Sequence, residues 1–160
     1  MHADRARVPR TDTESAMTDR NATTQWAGDL KSGSGSVKLD SSGAGDFPVT
    51  WASRAESPDG RTSPEELIAA AHSACYSMQL SGLLTAAGTP PESIGTSAQV
   101  SFGPRGDGFA ITGIELTVRA RVPGLDEDKF QQAARRAKEI CPVSVALAGT
   151  AISLQATLER

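Results

Sequence analysis

The sequence contains few of the residues that mark several common classes of protein. Aromatic residues make up only 4% of its 160 residues and the net charge is −3, so neither base stacking nor a basic surface favours a nucleic-acid partner. No apolar run approaches the roughly 18 residues that span a bilayer, which argues against a membrane partner. Residues 1–20 lack the apolar core of a secretory signal, so we expect a cytoplasmic protein.

Cysteine is also scarce, with two residues in the whole chain. Two thiols make a poor framework for a secreted protein, and in a reducing cytoplasm a disulfide is usually transient and catalytic. Cys75 and Cys141 lack the short spacing of metal ligands, and His2 lies far from both in sequence, so we expect no metal site and no cofactor. The pair indicates a dithiol that can be oxidised and reduced.

The length and patterning predict one domain behind a short extension. Residues 1–22 are charged and have no apolar period, so we expect a disordered N-terminal extension, with a single domain over residues 23–160. The sequence leaves open whether translation begins at Met1 or Met17.

Alternating apolar residues predict six strands, and three charged or apolar runs predict helices between them. The first three strands are expected at residues 25–30, 36–40 and 47–52, around a turn at residues 33–35. The others are expected at residues 97–102, 109–122 and 152–158, with helices from Asp126 and from Pro142 before the last. The order predicts an α+β fold in which antiparallel sheets surround a long central helix.

That central helix has strong signals at both ends. Ser63 is a good N-cap, Pro64 suits the first helical position, and Glu66 is placed to complete a capping box. Gly88 is placed to end the helix after about Ala87. No lysine or arginine occurs over residues 66–87, so we expect a helix that is buried nearly all round.

Each cysteine has a different claim to reactivity. Cys75 lies in mid-helix, where only a cation from elsewhere would lower its pKa, and it could equally be a small buried apolar residue. Cys141 precedes Pro142, and as an N-cap it would have its thiolate stabilised by free backbone N–H groups. His72, three residues before Cys75, is either a base or a hydrogen-bonded structural residue. The residues alone do not rank the two thiols.

Several stretches resemble the OsmC/Ohr family of thiol peroxidases, the osmotically inducible and organic hydroperoxide resistance proteins. The similarity covers the chain from about residue 24 to the C-terminus and is closer to the OsmC branch. The matching stretches are residues 26–31 (WAGDLK), 64–75 (PEELIAAAHSAC), 109–112 (FAIT) and 137–144 (AKEICPVS).

The resemblance implies roles for four residues. Cys75 would be the peroxidatic thiol and Cys141 the resolving thiol that forms a disulfide with it. Glu65 would be the catalytic glutamate and Arg54 the active-site arginine. Arg61 adds a second cation in a loop that departs from the family pattern, so the choice between the two arginines stays open at this point.

The resemblance also implies an intertwined homodimer that reduces organic hydroperoxides, and hydrogen peroxide more weakly, with a dithiol reductant of the lipoyl type. Helix geometry points the same way, because ten residues separate Glu65 from Cys75 and a straight helix then places them ~15 Å apart. Either the helix breaks or Glu65 serves the partner's Cys75. The alternative function is a non-enzymatic redox sensor that uses the same disulfide, and a zinc-binding or structural protein ranks below it.

Overall fold

The structure of the protein is a computed structural model that describes residues 17–160. Most of the expected disordered extension, residues 1–16, lies outside the described residues. Residues 17–22 are exposed and have no regular structure, although Asn21 exchanges hydrogen bonds with Ser41. The domain has ten elements: β1 (Thr23–Ala27), β2 (Ser34–Lys38), β3 (Asp46–Thr50), α1 (Trp51–Ala55), α2 (Pro64–Ala86), β4 (Ser93–Arg105), β5 (Gly108–Arg121), α3 (Glu127–Ile140), α4 (Pro142–Ala146) and β6 (Ile152–Glu159).

The first three strands form an antiparallel sheet in the order β1-β2-β3. The turn expected at residues 33–35 lies earlier, because Asp29 Oδ1 accepts hydrogen bonds from the backbone N–H groups of Lys31 and Ser32 and bends the chain there. Gly33 is required at the end of this turn, since a Cβ atom there would lie 2.3 Å from the Asp29 carbonyl oxygen. Gly35 is therefore inside β2 rather than in the turn.

The third strand is shorter than the sequence predicts and is followed by the short helix α1. Thr50 caps this helix: its hydroxyl accepts from the Ser53 backbone N–H, and the Ser53 hydroxyl accepts from the Thr50 backbone N–H. This reciprocal pair forms a capping box. The prediction of a strand through Ala52 was therefore wrong at its last two residues.

Helix α2 begins where the sequence predicts and runs for 23 residues without a break. The Ser63 hydroxyl accepts from the Glu66 backbone N–H, but the Glu66 carboxylate accepts from the Thr62 hydroxyl, so the expected reciprocal box is not completed. Gly88, with φ of +82°, follows the helix end at Ala86.

The expectation that α2 is buried nearly all round was wrong for the single chain. One face is buried, and its residues recur at helical spacing: Glu65, His72, Tyr76, Leu80 and Leu84. The opposite face is exposed and carries small or apolar side chains, including Ala70, Ala74 and Met78. The lack of lysine and arginine in α2 therefore reflects one packed face and one open face of mostly small or apolar side chains, with the exposed Glu66 near its start.

The second sheet has the order β4-β5-β6, and it is mixed rather than antiparallel. Strands β4 and β5 form an antiparallel hairpin, but β6 is parallel to β5 because α3 and α4 carry the chain back across the sheet. The core lies between this sheet, α2 and α3, where Tyr76, Leu116 and Phe130 are fully buried. Within the described part of the chain, no helix is long and apolar enough to cross a membrane. The predicted α+β class is confirmed.

Candidate active site

The two cysteines meet at one side of the buried core. Cys75 lies on α2 and is partly buried, and Cys141 is fully buried between α3 and α4. Pro142 forces Cys141 out of the helical conformation, as the sequence predicts, with φ of −57° and ψ of 122°. The resulting bend between α3 and α4 brings the Cys141 Sγ to 3.2 Å from the Cys75 Sγ. Both are free thiols.

The two thiols differ in acidity within a single chain. Burial raises the pKa of Cys75, and the neighbouring Cys141 raises it further. Burial also opposes ionisation of Cys141, but the nearby backbone N–H of Ser144, the Cys75 thiol and the Ser144 hydroxyl favour its thiolate more strongly, so the pKa of Cys141 lies below its usual range. Cys141 is the N-cap residue of α4, as the sequence suggests, but its side chain makes no capping hydrogen bond.

Arg54 and Glu65 form an ion pair at the junction of α1 and α2. Arg54 Nη2 donates to Glu65 Oε1 at 2.8 Å, and Arg54 Nε donates to the two carboxylate oxygens at 3.1 and 3.2 Å. The Glu65 side chain is only 8% exposed, and that of Arg54 is 33% exposed. Arg61 instead contacts the exposed Asp59, so Arg54 is the arginine that Glu65 holds.

Backbone hydrogen bonds explain why these two side chains meet. The Ser53 Oγ lies 2.9 Å from the carbonyl oxygens of both Thr50 and Thr62, so its single hydroxyl proton is shared between these two acceptors. The Thr62 backbone N–H donates to the Pro48 carbonyl oxygen at 3.0 Å. These bonds fasten the start of α2 to α1 and β3, so that Glu65, in the first turn of α2, lies beside Arg54.

The thiol pair and the ion pair do not come together within one chain. Glu65 and Cys75 lie ten positions apart on one continuous helix, which corresponds to ~15 Å of rise. The alternative of a broken helix is therefore wrong. Among the groups that shift the pKa of Cys75 within residues 17–160, none is a cation.

His72 contacts Ser144 rather than Cys75. Its Nε2 lies 2.7 Å from the Ser144 Oγ, and burial lowers the pKa of this fully buried imidazole. The hydrogen-bonded alternative for His72 therefore describes its place in the structure. Ser144 was part of the sequence match but received no role, although its position three residues after a helix N-cap is one that often contacts the cap.

An apolar groove adjoins the ion pair between the first sheet and α1–α2. Its volume is about 520 Å³, and its wall includes Trp26, Val49, Trp51, Arg54 and Leu67. Arg54 is the only charged residue in this wall among the described residues.

The described part of the chain holds no group of three or more histidine, cysteine or acidic residues that could bind a metal ion.

Known proteins share both the sequence and the fold. A family model described as OsmC-like protein matches residues 57–156. The chain is 46% identical to Peroxiredoxin OsmC of Escherichia coli (strain K12) over 122 residues, or 76% of this chain and 85% of that protein.

Two solved structures are similar in fold and sequence. An organic hydroperoxide resistance protein from Elizabethkingia anophelis is 26% identical with a TM-score of 0.68, covering 91% of this chain and 100% of that one. OhrB of Bacillus subtilis is also 26% identical, with a TM-score of 0.63 over 87% and 98% of the two chains. The resemblance noted in the sequence is therefore confirmed, and the chain belongs to the OsmC-like protein family.

Proposed function

We propose that this chain is a thiol peroxidase that reduces organic hydroperoxides to alcohols, and hydrogen peroxide more weakly, in defence against oxidative or osmotic stress. The observation that carries the proposal is the pair of free thiols whose sulfurs lie 3.2 Å apart. The names of its relatives support it, since one is a peroxiredoxin and another an organic hydroperoxide resistance protein.

The reaction has three steps. The Cys75 thiolate attacks the hydroperoxide O–O bond, takes one oxygen to become a sulfenic acid, and releases an alkoxide that is protonated to the alcohol. The Cys141 thiol then condenses with the sulfenic acid, forming the Cys75–Cys141 disulfide and one water molecule. An external dithiol, which the family resemblance suggests is of the lipoyl type, reduces the disulfide and is itself oxidised.

Arg54 and Glu65 would complete the site from a second copy of the chain. The Arg54 guanidinium would stabilise the Cys75 thiolate and polarise the peroxide, while Glu65 orients the guanidinium. This arrangement is supported by the ~15 Å along α2 that keeps the two pairs apart in one chain. It also supplies the cation that Cys75 needs, since burial and Cys141 raise the pKa of Cys75 within its own chain and outweigh the lowering by the Val143 backbone.

The exposed apolar surfaces support a homodimer. Met78 on the open face of α2 is 70% exposed, and Trp26 and Leu30 beside the groove are 42% and 57% exposed. Covering such surfaces is a common basis for stable association. A two-fold axis across α2 would turn each Glu65 toward the Cys75 of the other chain. The cytoplasmic location stays a prediction from the sequence.

Stoichiometry tests the function directly. With an excess of a dithiol such as dihydrolipoamide, we expect each subunit to consume many equivalents of cumene hydroperoxide, because the disulfide is reduced after every cycle. Consumption can be followed by peroxide assay against a buffer control with dithiol alone. A redox sensor would use about one equivalent per subunit and then stop, and that result would contradict the proposal.

A second expected result concerns the disulfide. One equivalent of cumene hydroperoxide without dithiol should link Cys75 to Cys141 within one chain, because the sulfurs need to approach by only about 1 Å to reach the ~2.05 Å of a disulfide bond. Peptide mass spectrometry without reduction should find this linkage, and denaturing gels should show monomers. Predominant inter-chain linkage would contradict the assignment of Cys141 as the resolving thiol.

A further inference from the structure

The Arg54 guanidinium is held at one edge by Glu65, and a second contact acts on its face. Its central carbon lies 4.3 Å from the centroid of the Phe102 ring, within the range of a cation–π interaction. A carboxylate that binds Nε and Nη2 fixes the guanidinium along that edge but resists tilting of its plane only weakly. A ring beneath the plane opposes that tilt, so the two contacts are complementary.

Phe102 does not stand alone beneath the guanidinium. Its ring is stacked on that of Phe109, with centroids 5.4 Å apart and an interplanar angle of 18°. The Trp51 ring meets both edge-on, at 6.2 Å from Phe102 and 5.4 Å from Phe109. Because Trp51 and Arg54 belong to the same short helix, the cluster holds α1 against the hairpin that carries Phe102.

A β-bulge in the hairpin makes this cluster possible. Ser101 pairs with Gly113 but Phe102 pairs with Ile111, so Thr112 is an extra residue on β5. On the C-terminal side of the bulge, the core-facing residues of β5 have even numbers, as at Ile114. On its N-terminal side, the one-residue shift turns odd-numbered residues to the same face. Phe109 thereby lies on the same face as Phe102 and can stack on it.

One edge of Arg54 remains available. Within residues 17–160, Arg54 Nη1 makes no hydrogen bond, whereas Nε and Nη2 are both engaged by Glu65. The free edge is the one that could face a thiolate or a peroxide oxygen. Any tilt of the plane moves this edge most, because it lies opposite the edge that Glu65 holds.

We propose that Phe102 is a positioning residue for the reaction, which orients the free edge of Arg54 by holding its ring face against the guanidinium plane. The inference rests on the proposed function for its effect on turnover. The contact between Phe102 and Arg54 itself does not depend on that function, so it can be tested separately.

The test uses variants of the full-length chain. Phe102→Leu keeps an apolar side chain but removes the ring face, and Phe102→Tyr restores it. Phe109→Leu is the matched control, because it removes a ring from the same cluster that does not lie under the guanidinium. Expected results for cumene hydroperoxide turnover are a loss of about tenfold in kcat/KM for Phe102→Leu, near-normal values for Phe102→Tyr, and a much smaller loss for Phe109→Leu. Equal losses for Phe102→Leu and Phe109→Leu would overturn the proposal, since packing alone would explain both.

A double-mutant cycle in urea unfolding provides the readout that is independent of turnover. Phe102→Leu and Arg54→Met are measured singly and together, with Phe109→Leu and Arg54→Met as the control cycle. We expect the effects of Phe102→Leu and Arg54→Met on the unfolding equilibrium to be coupled by several-fold, and those of the control pair to be nearly independent. Independent effects in the Phe102 cycle would overturn the proposal. If the wild-type protein turned over no peroxide, the proposed function would fail, and this cycle would still decide whether Phe102 positions Arg54.

Discussion

Replacing Cys75 by serine is expected to lower peroxide turnover by more than ~10³-fold, because a serine hydroxyl is not ionised near neutral pH and cannot take over the attack on the O–O bond. Cys141→Ser should behave differently. Without added dithiol it should still reduce one equivalent of cumene hydroperoxide per subunit, leaving Cys75 as a sulfenic acid that has no resolving partner. Peroxide assay and trapping of the sulfenic acid by dimedone, read by mass spectrometry, measure both results.

The opposite outcome has a physical basis in the single chain, so the comparison is informative. Within one chain, burial opposes ionisation of both thiols, but the proximity of Ser144 and Cys75 lowers the pKa of Cys141, whereas that of Cys75 is raised. If Cys141→Ser lost the first reduction and Cys75→Ser kept it, then Cys141 would be the attacking thiol. Our assignment requires that a cation from outside the chain reverses this order of acidity.

Local signals in the sequence predicted the parts of the fold that short-range chemistry determines. Ser63 and Pro64 determine where α2 begins, and Gly88 marks where it ends. Pro142 causes the bend that brings Cys141 next to Cys75. Each of these residues acts on its immediate neighbours in the chain through a cap, a fixed φ angle or a steric restriction. The effect of each residue on the backbone could therefore be predicted from its neighbours in the sequence alone.

Long-range contacts decided what the sequence could not predict. The choice between Arg54 and Arg61 depended on which one meets Glu65, and this follows from the hydrogen bonds that Ser53 makes across the chain. The parallel pairing of β6 depends on how α3 and α4 pack, which alternation in β6 does not reveal. The bulge at Thr112 was not predicted, although the apolar period of β5 breaks between Ile111 and Ile114.

The positions of the two pairs explain why the proposed site would need a second copy of the chain. The ion pair lies at the start of α2 and the thiols lie about three turns further along, near the middle of the same helix. A straight helix cannot bring its own start to its middle. Two antiparallel copies of α2 can bring the start of each helix to the middle of the other, and the small side chains on the open face of α2, such as Ala70 and Ala74, would allow the close approach that this needs.

Subunit mixing is expected to restore activity if the site is shared in this way. Glu65→Ala should lower turnover by about 10²-fold, because Arg54 loses the carboxylate that orients it, and Cys75→Ser should be inactive. In a mixed dimer, the chain with Cys75→Ser supplies an intact Arg54–Glu65 pair to the Cys75 of the chain with Glu65→Ala. One site of two is then complete, and an equal mixture should recover about a quarter of wild-type turnover, since about half of its dimers are mixed.

The matched control is a mixture of Glu65→Ala with Arg54→Ala. These two residues contact each other within one chain at 2.8 Å, so no mixed dimer can hold an intact pair and no recovery is expected. Native mass spectrometry of differentially labelled subunits must show that exchange is complete in both mixtures. With exchange verified, a first mixture as inactive as its parents would mean that each site is built within a single chain. The open face of α2 would then have a purely structural role, and the acidity of Cys75 would need a source other than the partner's Arg54.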